Sequence, residues 1–147
     1  MNNYTYKAFF CNELSNKLNL KLRHLQRLKL KPNQLRVKIL SCGLNYPDLL
    51  MIQGKYQHKP LLPFIPGMEV SGIIIEDFNK KKSLVGKKII ARIKSGGFSE
   101  EIVIKKENLL KFPPKYTNDE AAAFPIISMT AYIALVEKAD IKKNEYI

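Results

Sequence analysis

The chain has 147 residues, and its hydrophobic content of 46% with 10% aromatic residues is enough for one folded domain and excludes a disordered segment. It carries 25 Lys and Arg residues against 13 Asp and Glu residues, a net charge of +12. No apolar run approaches the roughly 20 residues that span a bilayer, and the N-terminus lacks a signal-peptide layout. We therefore expect a cytoplasmic protein without a membrane segment.

The basic charge raises the question of a nucleic-acid partner. The cations are dispersed in short groups such as Lys87-Lys88, Lys105-Lys106 and Lys142-Lys143, and no arginine-rich arm is present. We favour a solvated basic surface and no nucleic acid. The alternative is a basic, OB-like nucleic-acid binder, which requires exposed aromatic side chains among the lysines.

The first two thirds of the chain predict strands. Residues 18–23 and 35–40 alternate apolar and polar side chains, as expected for half-buried antiparallel strands. Further strands are predicted at residues 6–11, 70–75, 88–93 and 98–104. Gly96-Gly97 predicts that the last two form a hairpin.

A short helix is predicted after the third strand. Asn45 suits the N-cap, Pro47 the first turn, Asp48 the positive end of the helix dipole, and Gly54 the stop. Asp48 is favoured as a helix-dipole residue over a catalytic acid.

The hydrophobic period changes near residue 114, where helices replace strands. Thr117 and Glu120 have the spacing of a capping box. Pro125 is expected to break or kink the helix, and residues 127–138 to form an amphipathic helix. We divide the chain into a β domain at residues 1–116 and a helical connector at residues 117–147.

A set of short motifs lies at residues 43–48, 54–56, 62–69, 96–101, 120–123 and 129–132. In this order, the motifs resemble the signature of the medium-chain dehydrogenase/reductase superfamily. The similarity is greatest to its zinc-independent quinone oxidoreductase (zeta-crystallin-like) branch. It implies a mainly β fold with appended helices, in which a GroES-like, partly open β-barrel forms the alcohol dehydrogenase-like N-terminal domain. The Rossmann domain of such enzymes is expected to be absent from this chain.

The positions that hold catalytic zinc in zinc-dependent relatives are filled differently here. They correspond to Asn45, Met68 with Glu69, and the neighbourhood of Ile126. An amide, a thioether and an aliphatic side chain cannot supply the three good ligands that catalytic zinc requires. We therefore expect no metal site.

The resemblance implies hydride transfer from NADPH or NADH to an electron-poor acceptor, a quinone or an enone. It places Asn45 and Thr130 against the cofactor, with Tyr46 and Tyr56 on the substrate side, and it assigns no catalytic residue with certainty. Structural alternatives stay open for these positions. Asn45 caps its helix, Tyr56 closes a loop, Thr130 bonds its own backbone, and Glu69 orders the loop that precedes its strand.

The last glycine in the chain is Gly97, so no glycine-rich turn for a pyrophosphate follows the connector. We therefore expect little reductase activity from the chain alone. The apolar residues 121–134 should be exposed, as at an interface. A homodimer or a separate Rossmann-domain polypeptide would cover them. The alternative function is a non-catalytic binding or scaffold module that reuses the barrel.

Overall fold

The computed structural model describes residues 4–80 and 84–146, which form a mainly β protein with two α-helices. The strands are β1 (Thr5–Cys11), β2 (Leu20–Gln26), β3 (Gln34–Cys42), β4 (Glu69–Asp77), β5 (Lys88–Arg92), β6 (Glu101–Lys105) and β7 (Leu109–Lys111). The helices are α1 (Tyr46–Ile52) and α2 (Asn118–Tyr132), with a 3-10 turn at Lys106–Asn108 and a π-helical segment at Ile133–Lys138.

The strands form two antiparallel sheets. One is the β1–β2 pair, and the other has five strands in the order β6-β3-β4-β5-β7. The edge strands β6 and β7 are consecutive in the chain and are joined only by the turn at Lys106–Asn108. The sheet therefore curls until its edges approach at one end, but it does not close. This confirms the expected mainly β, partly open GroES-like fold.

The predicted hairpin between β5 and β6 is wrong. Strand β5 pairs with β4 and β7, whereas β6 pairs with β3. The intervening loop instead runs along β1, where the Phe9 N–H donates to the Phe98 carbonyl oxygen at 2.8 Å. Gly97 is required for a close approach, because a Cβ atom there would lie 2.7 Å from the Sγ atom of Cys42.

Two apolar clusters hold the sheets and α1 together. The larger one is built from alternate residues of the central strands, including the fully buried Leu35, Val37 and Val70. The smaller one includes Met51 and Phe64 and packs α1 against the first strand pair. Each large aliphatic side chain that is fully buried contributes roughly 1.5–3 kcal/mol, so α1 is fixed relative to the sheet.

The second helix begins where the sequence predicts. The Glu120 N–H donates to Thr117 Oγ1 at 3.2 Å and the Thr117 N–H donates to Glu120 Oε2 at 2.8 Å, which confirms the capping box. The predicted boundary at Ile127 is wrong, because the helix continues through Pro125 to Tyr132.

The expected exposure of residues 121–134 is correct only for the second half of α2, because Ala121, Ala122 and Pro125 are buried. Ile127 is 63% exposed and Tyr132 is 56% exposed. Together with the π-helical segment, the helix from Asn118 to Lys138 is long and apolar enough, by length and composition, to cross a membrane. We did not predict such a helix from the sequence, because we counted only uninterrupted apolar runs. The apolar end of Glu145-Tyr146-Ile147 predicts the opening of a strand. Residues 145 and 146 form none, and Ile147 lies outside the described residues.

Candidate active site

The site is built around Glu69, the first residue of β4, which is 1% exposed. Its Oε1 atom accepts a hydrogen bond from Asn45 Nδ2 at 2.8 Å, and its Oε2 atom accepts one from the Ile126 backbone N–H at 2.8 Å. Pro125 has no N–H and disturbs the regular bonding of its helix, and the amide that follows it donates to Glu69. The carboxylate thus joins the loop before α1 to the connector helix α2.

The approach of Glu69 to the loop requires a glycine at position 43. The Gly43 N–H donates to the Glu69 carbonyl oxygen at 3.1 Å. A Cβ atom at Gly43 would lie 2.7 Å from Glu69 Cγ and closer still to Oε1. Any larger residue at this position would displace the carboxylate.

A second buried carboxylate, Asp48, lies in the first turn of α1. It is fully buried, and it accepts hydrogen bonds from the Asn45 N–H at 2.9 Å and from the Gly67 N–H at 3.0 Å. Burial raises the pKa of Asp48, the two backbone donors lower it, and the nearby charge of Glu69 raises it. These contacts support the structural interpretation of Asp48, because both oxygens hold backbone in place.

The thiol of Cys42 lies beside these two acids. Burial raises its pKa to about 12, and the negative charges of Asp48 and Glu69 act in the same direction. A thiol with this pKa stays protonated at neutral pH, so Cys42 is not an activated nucleophile.

The structure brings some of the predicted site residues together. Asn45 contacts Glu69, and Thr130 lies one turn beyond Ile126, where its hydroxyl donates to the Ile126 carbonyl oxygen at 2.7 Å. The alternative of a backbone bond at Thr130 is therefore correct in this structure. Tyr46 is 70% exposed on α1. The cofactor and substrate roles of these residues remain predictions.

Tyr56 lies at an open cavity of about 940 Å³ that is bounded by the edge strand β6, the end of β5 and Leu110 of β7. The half-buried Tyr56 packs against the smaller apolar cluster and lines this cavity together with Met68, Ile93 and Met129. Met68 precedes Glu69, and Met129 lies one turn beyond Ile126 on α2. The cavity therefore adjoins the cluster around Glu69.

Sequence reasoning missed Arg92, which also lines the cavity. Arg92 is the register partner of Glu69 across β4 and β5, so the two side chains lie on the same face of the sheet. The signal in the sequence is a lone arginine within the apolar run Ile89-Ile90-Ala91-Arg92-Ile93.

The comparisons with known proteins agree with this architecture. Residues 31–114 match the alcohol dehydrogenase GroES-like domain, and the chain belongs to this family. A quinone oxidoreductase-like protein 2 homolog from Nematostella vectensis is 38% identical over 97% of this chain and 40% of its own length.

Solved structures give the same result. The quinone oxidoreductase from Thermus thermophilus, also solved in complex with NADPH, is 32% identical with a TM-score of 0.81 over 95% of this chain and 43% of its own. The human synaptic vesicle membrane protein VAT-1 homolog-like protein is 28% identical with a TM-score of 0.87 over 95% of this chain and 46% of its own. The chain spans 40% of the length of the quinone oxidoreductase-like protein 2 relatives from Nematostella vectensis and Bos taurus.

Proposed function

We propose that the chain forms the N-terminal catalytic domain of a zinc-independent oxidoreductase that transfers a hydride from NADPH or NADH to a quinone or an enone. The observation that carries this proposal is the link from Asn45 through the buried Glu69 to α2, at the edge of an open cavity. In a chain whose relatives are quinone oxidoreductases, this link fixes the wall of the acceptor site relative to the connector.

The cofactor supplies the hydride, and the chain supplies positioning. Asn45 and Thr130 would contact the nicotinamide end, with Tyr46 and Tyr56 on the acceptor side. The residues of this chain fit only that end of a dinucleotide, because all seven glycines lie between Gly43 and Gly97, ahead of the connector helix. A pyrophosphate needs a glycine-rich turn between a strand and a helix. We therefore propose that the isolated chain has little activity.

The chemistry of the available donors supports a zinc-free mechanism. Both oxygens of Glu69 accept hydrogen bonds from the protein, and the amide nitrogen of Asn45 is directed to Glu69. Within residues 4–80 and 84–146, no cluster of three or more His, Cys, Asp or Glu side chains is arranged to hold a metal ion.

We propose that protein, not lipid, covers the exposed face of α2, and that the protein is cytoplasmic. Ala121 and Ala122 are buried against the sheet, and the Ile126 amide is bound to Glu69. The first half of the helix therefore cannot enter a bilayer while the domain stays folded. A homodimer, or a polypeptide that carries the nucleotide-binding domain, would cover the remainder.

The nucleic-acid alternative receives less support. The Arg27 guanidinium lies 3.6 Å from the centre of the Tyr4 ring, and Arg23 lies 5.5 Å from the centre of the Phe10 ring. These aromatic rings are engaged by cations of the chain itself, whereas stacking on bases requires free ring faces.

The decisive experiment measures NADPH oxidation with a simple quinone. The purified 147-residue chain is assayed alone and mixed with a separately expressed nucleotide-binding half of a close relative. Activity only in the mixture is the expected result. A mixture of two folded partners that bind each other but oxidise no NADPH would reject the proposal and favour a non-catalytic module.

A further inference from the structure

We propose that the acceptor carries a negatively charged group, which Arg92 and Lys94 bind while its apolar body rests on Met68, Ile93 and Met129. That the ligand is the electron acceptor rests on the proposed function. The binding site itself is inferred from the geometry of the cavity.

Arg92 is placed to bind the charged group of a ligand in the cavity. It lies opposite Glu69 in the β4–β5 register, on the same face of the sheet. It does not neutralise Glu69, whose two oxygens are held by Asn45 and Ile126. Instead, Arg92 Nη1 contacts the Sδ atom of Met129 at 3.2 Å. A thioether is a weak acceptor, and a guanidinium has five N–H donors, so the group retains donors for a ligand.

The charge around the cavity is unbalanced at this end. Lys105 and Glu107 both line the cavity and form an ion pair of 3.5 Å with each other. Within the described parts of the chain, neither Arg92 nor Lys94 forms an ion pair with an acidic side chain. Two cations thus stand without an acidic partner where this mixed polar and apolar cavity meets the Glu69 cluster.

The general basic surface does not account for this arrangement. Arg92 and Lys94 are exposed at the edge of the cavity, and the buried Ile93 stands between them near the point where β5 ends. Apolar side chains and cations converge on one open volume of about 940 Å³. This combination complements an aromatic or unsaturated body with a carboxylate, sulfonate or phosphate group, since guanidinium binds such planar or tetrahedral anions through paired N–H donors.

The four methionines of the chain provide the test. In the 147-residue chain labelled with ¹³C at the methionine methyl groups, Met68 and Met129 report on the cavity. Met51 does not line the cavity and reports on the smaller apolar cluster, against which Met68 packs. The two probes are naphthalene-2-sulfonate and the neutral naphthalene-2-sulfonamide. We expect the sulfonate to shift the Met68 and Met129 signals, to leave Met51 unchanged, and to bind about tenfold more tightly than the sulfonamide.

Matched charge variants complete the test. Arg92→Gln and Lys94→Gln should each weaken sulfonate binding by about three- to tenfold and leave sulfonamide binding unchanged. Lys115→Gln removes the same charge from an exposed position outside the cavity and should have no effect. An unchanged Met51 signal verifies that each variant is folded.

Three outcomes would overturn the inference. They are equal affinity for the two probes, an equal loss of affinity in Lys115→Gln, and displacement of the sulfonate from Arg92 by NADPH, which would assign the anion site to the cofactor. No reduction is measured, so a failed quinone-reductase assay leaves this result intact. Conversely, the reconstituted enzyme could be active while the chain binds sulfonate and sulfonamide equally. That result would reject the anion site and leave the proposed function standing.

Discussion

Glu69 and Ile126 are joined by a hydrogen bond of 2.8 Å between a buried carboxylate and a helix amide, across 57 residues of sequence. The second oxygen of Glu69 holds Asn45. A buried carboxylate without a cation is stable only where N–H donors satisfy it. The position of Asn45 therefore depends on where α2 packs, and a partner that binds α2 would act on Asn45 through Glu69.

The first prediction concerns Glu69→Gln. Glutamine retains one acceptor oxygen and places an NH₂ group where the second acceptor was, so one of the two donors loses its partner. We expect a loss of about 1–3 kcal/mol in the free energy of unfolding, measured by urea denaturation. Glu107→Gln, at an exposed ion pair, should change stability by less than about 1 kcal/mol. Equal stabilities of the two variants would show that Glu69 is not required to hold the loop and α2 together.

The second prediction tests the contact between Gly43 and Glu69. Gly43→Ala places a Cβ atom 2.7 Å from Glu69 Cγ, which should cost about 1–3 kcal/mol through overpacking. In a Glu69→Ala background the obstructing side chain is gone, so the same substitution should cost less. A double-mutant cycle by urea denaturation should give a coupling of about 0.5–3 kcal/mol. Additive effects would mean that Gly43 is required for another reason.

The third prediction follows from the pKa of Asp48, which burial raises above its ordinary value of 3.8. Between the ordinary and the raised value the folded state binds more protons than the unfolded state. The contribution of Asp48 to stability therefore falls as the pH rises through this window. Relative to Asp48→Asn, which does not titrate, the wild-type chain should gain stability when the pH is lowered from about 7 towards about 4.

Urea denaturation at about pH 7, 5 and 4 measures this difference, with the exposed Asp119→Asn as the matched control. A raised pKa would be contradicted if the wild type gained no stability relative to Asp48→Asn on acidification, or if it lost stability relative to that variant.

Local features of the fold follow from the sequence because they depend on neighbouring residues. The capping box of Thr117 and Glu120 is specified by residue type and spacing, and strand β3 is indicated by its two-residue period. That period does not predict the burial of Arg36, which is 3% exposed and pairs with Glu76. The partner of β6 is not local. Gly96-Gly97 is compatible with a hairpin, but it is also compatible with the close backbone approach that occurs, and only the pairing of β6 with β3 decides between them.

The candidate site was predictable only in part, for the same reason. Asn45 and Thr130 are candidates because of the resemblance. The link through Glu69 depends on the Ile126 amide next to Pro125, and the sequence alone predicts only a break or kink at that proline. Arg92 becomes a candidate only when the register places it opposite Glu69 and the open sheet creates a cavity beside it.

The last prediction concerns the exposed face of α2. Ile127 is 63% exposed, so Ile127→Glu should change the stability of the isolated chain by no more than about 0.5 kcal/mol. If this face is the interface of a partner, the buried charge should reduce self-association and abolish the complementation with a nucleotide-binding half. Sedimentation velocity and the NADPH oxidation assay measure the two effects. Val85→Glu, exposed elsewhere, is the matched control, and full complementation by Ile127→Glu would exclude this face of α2 from the interface.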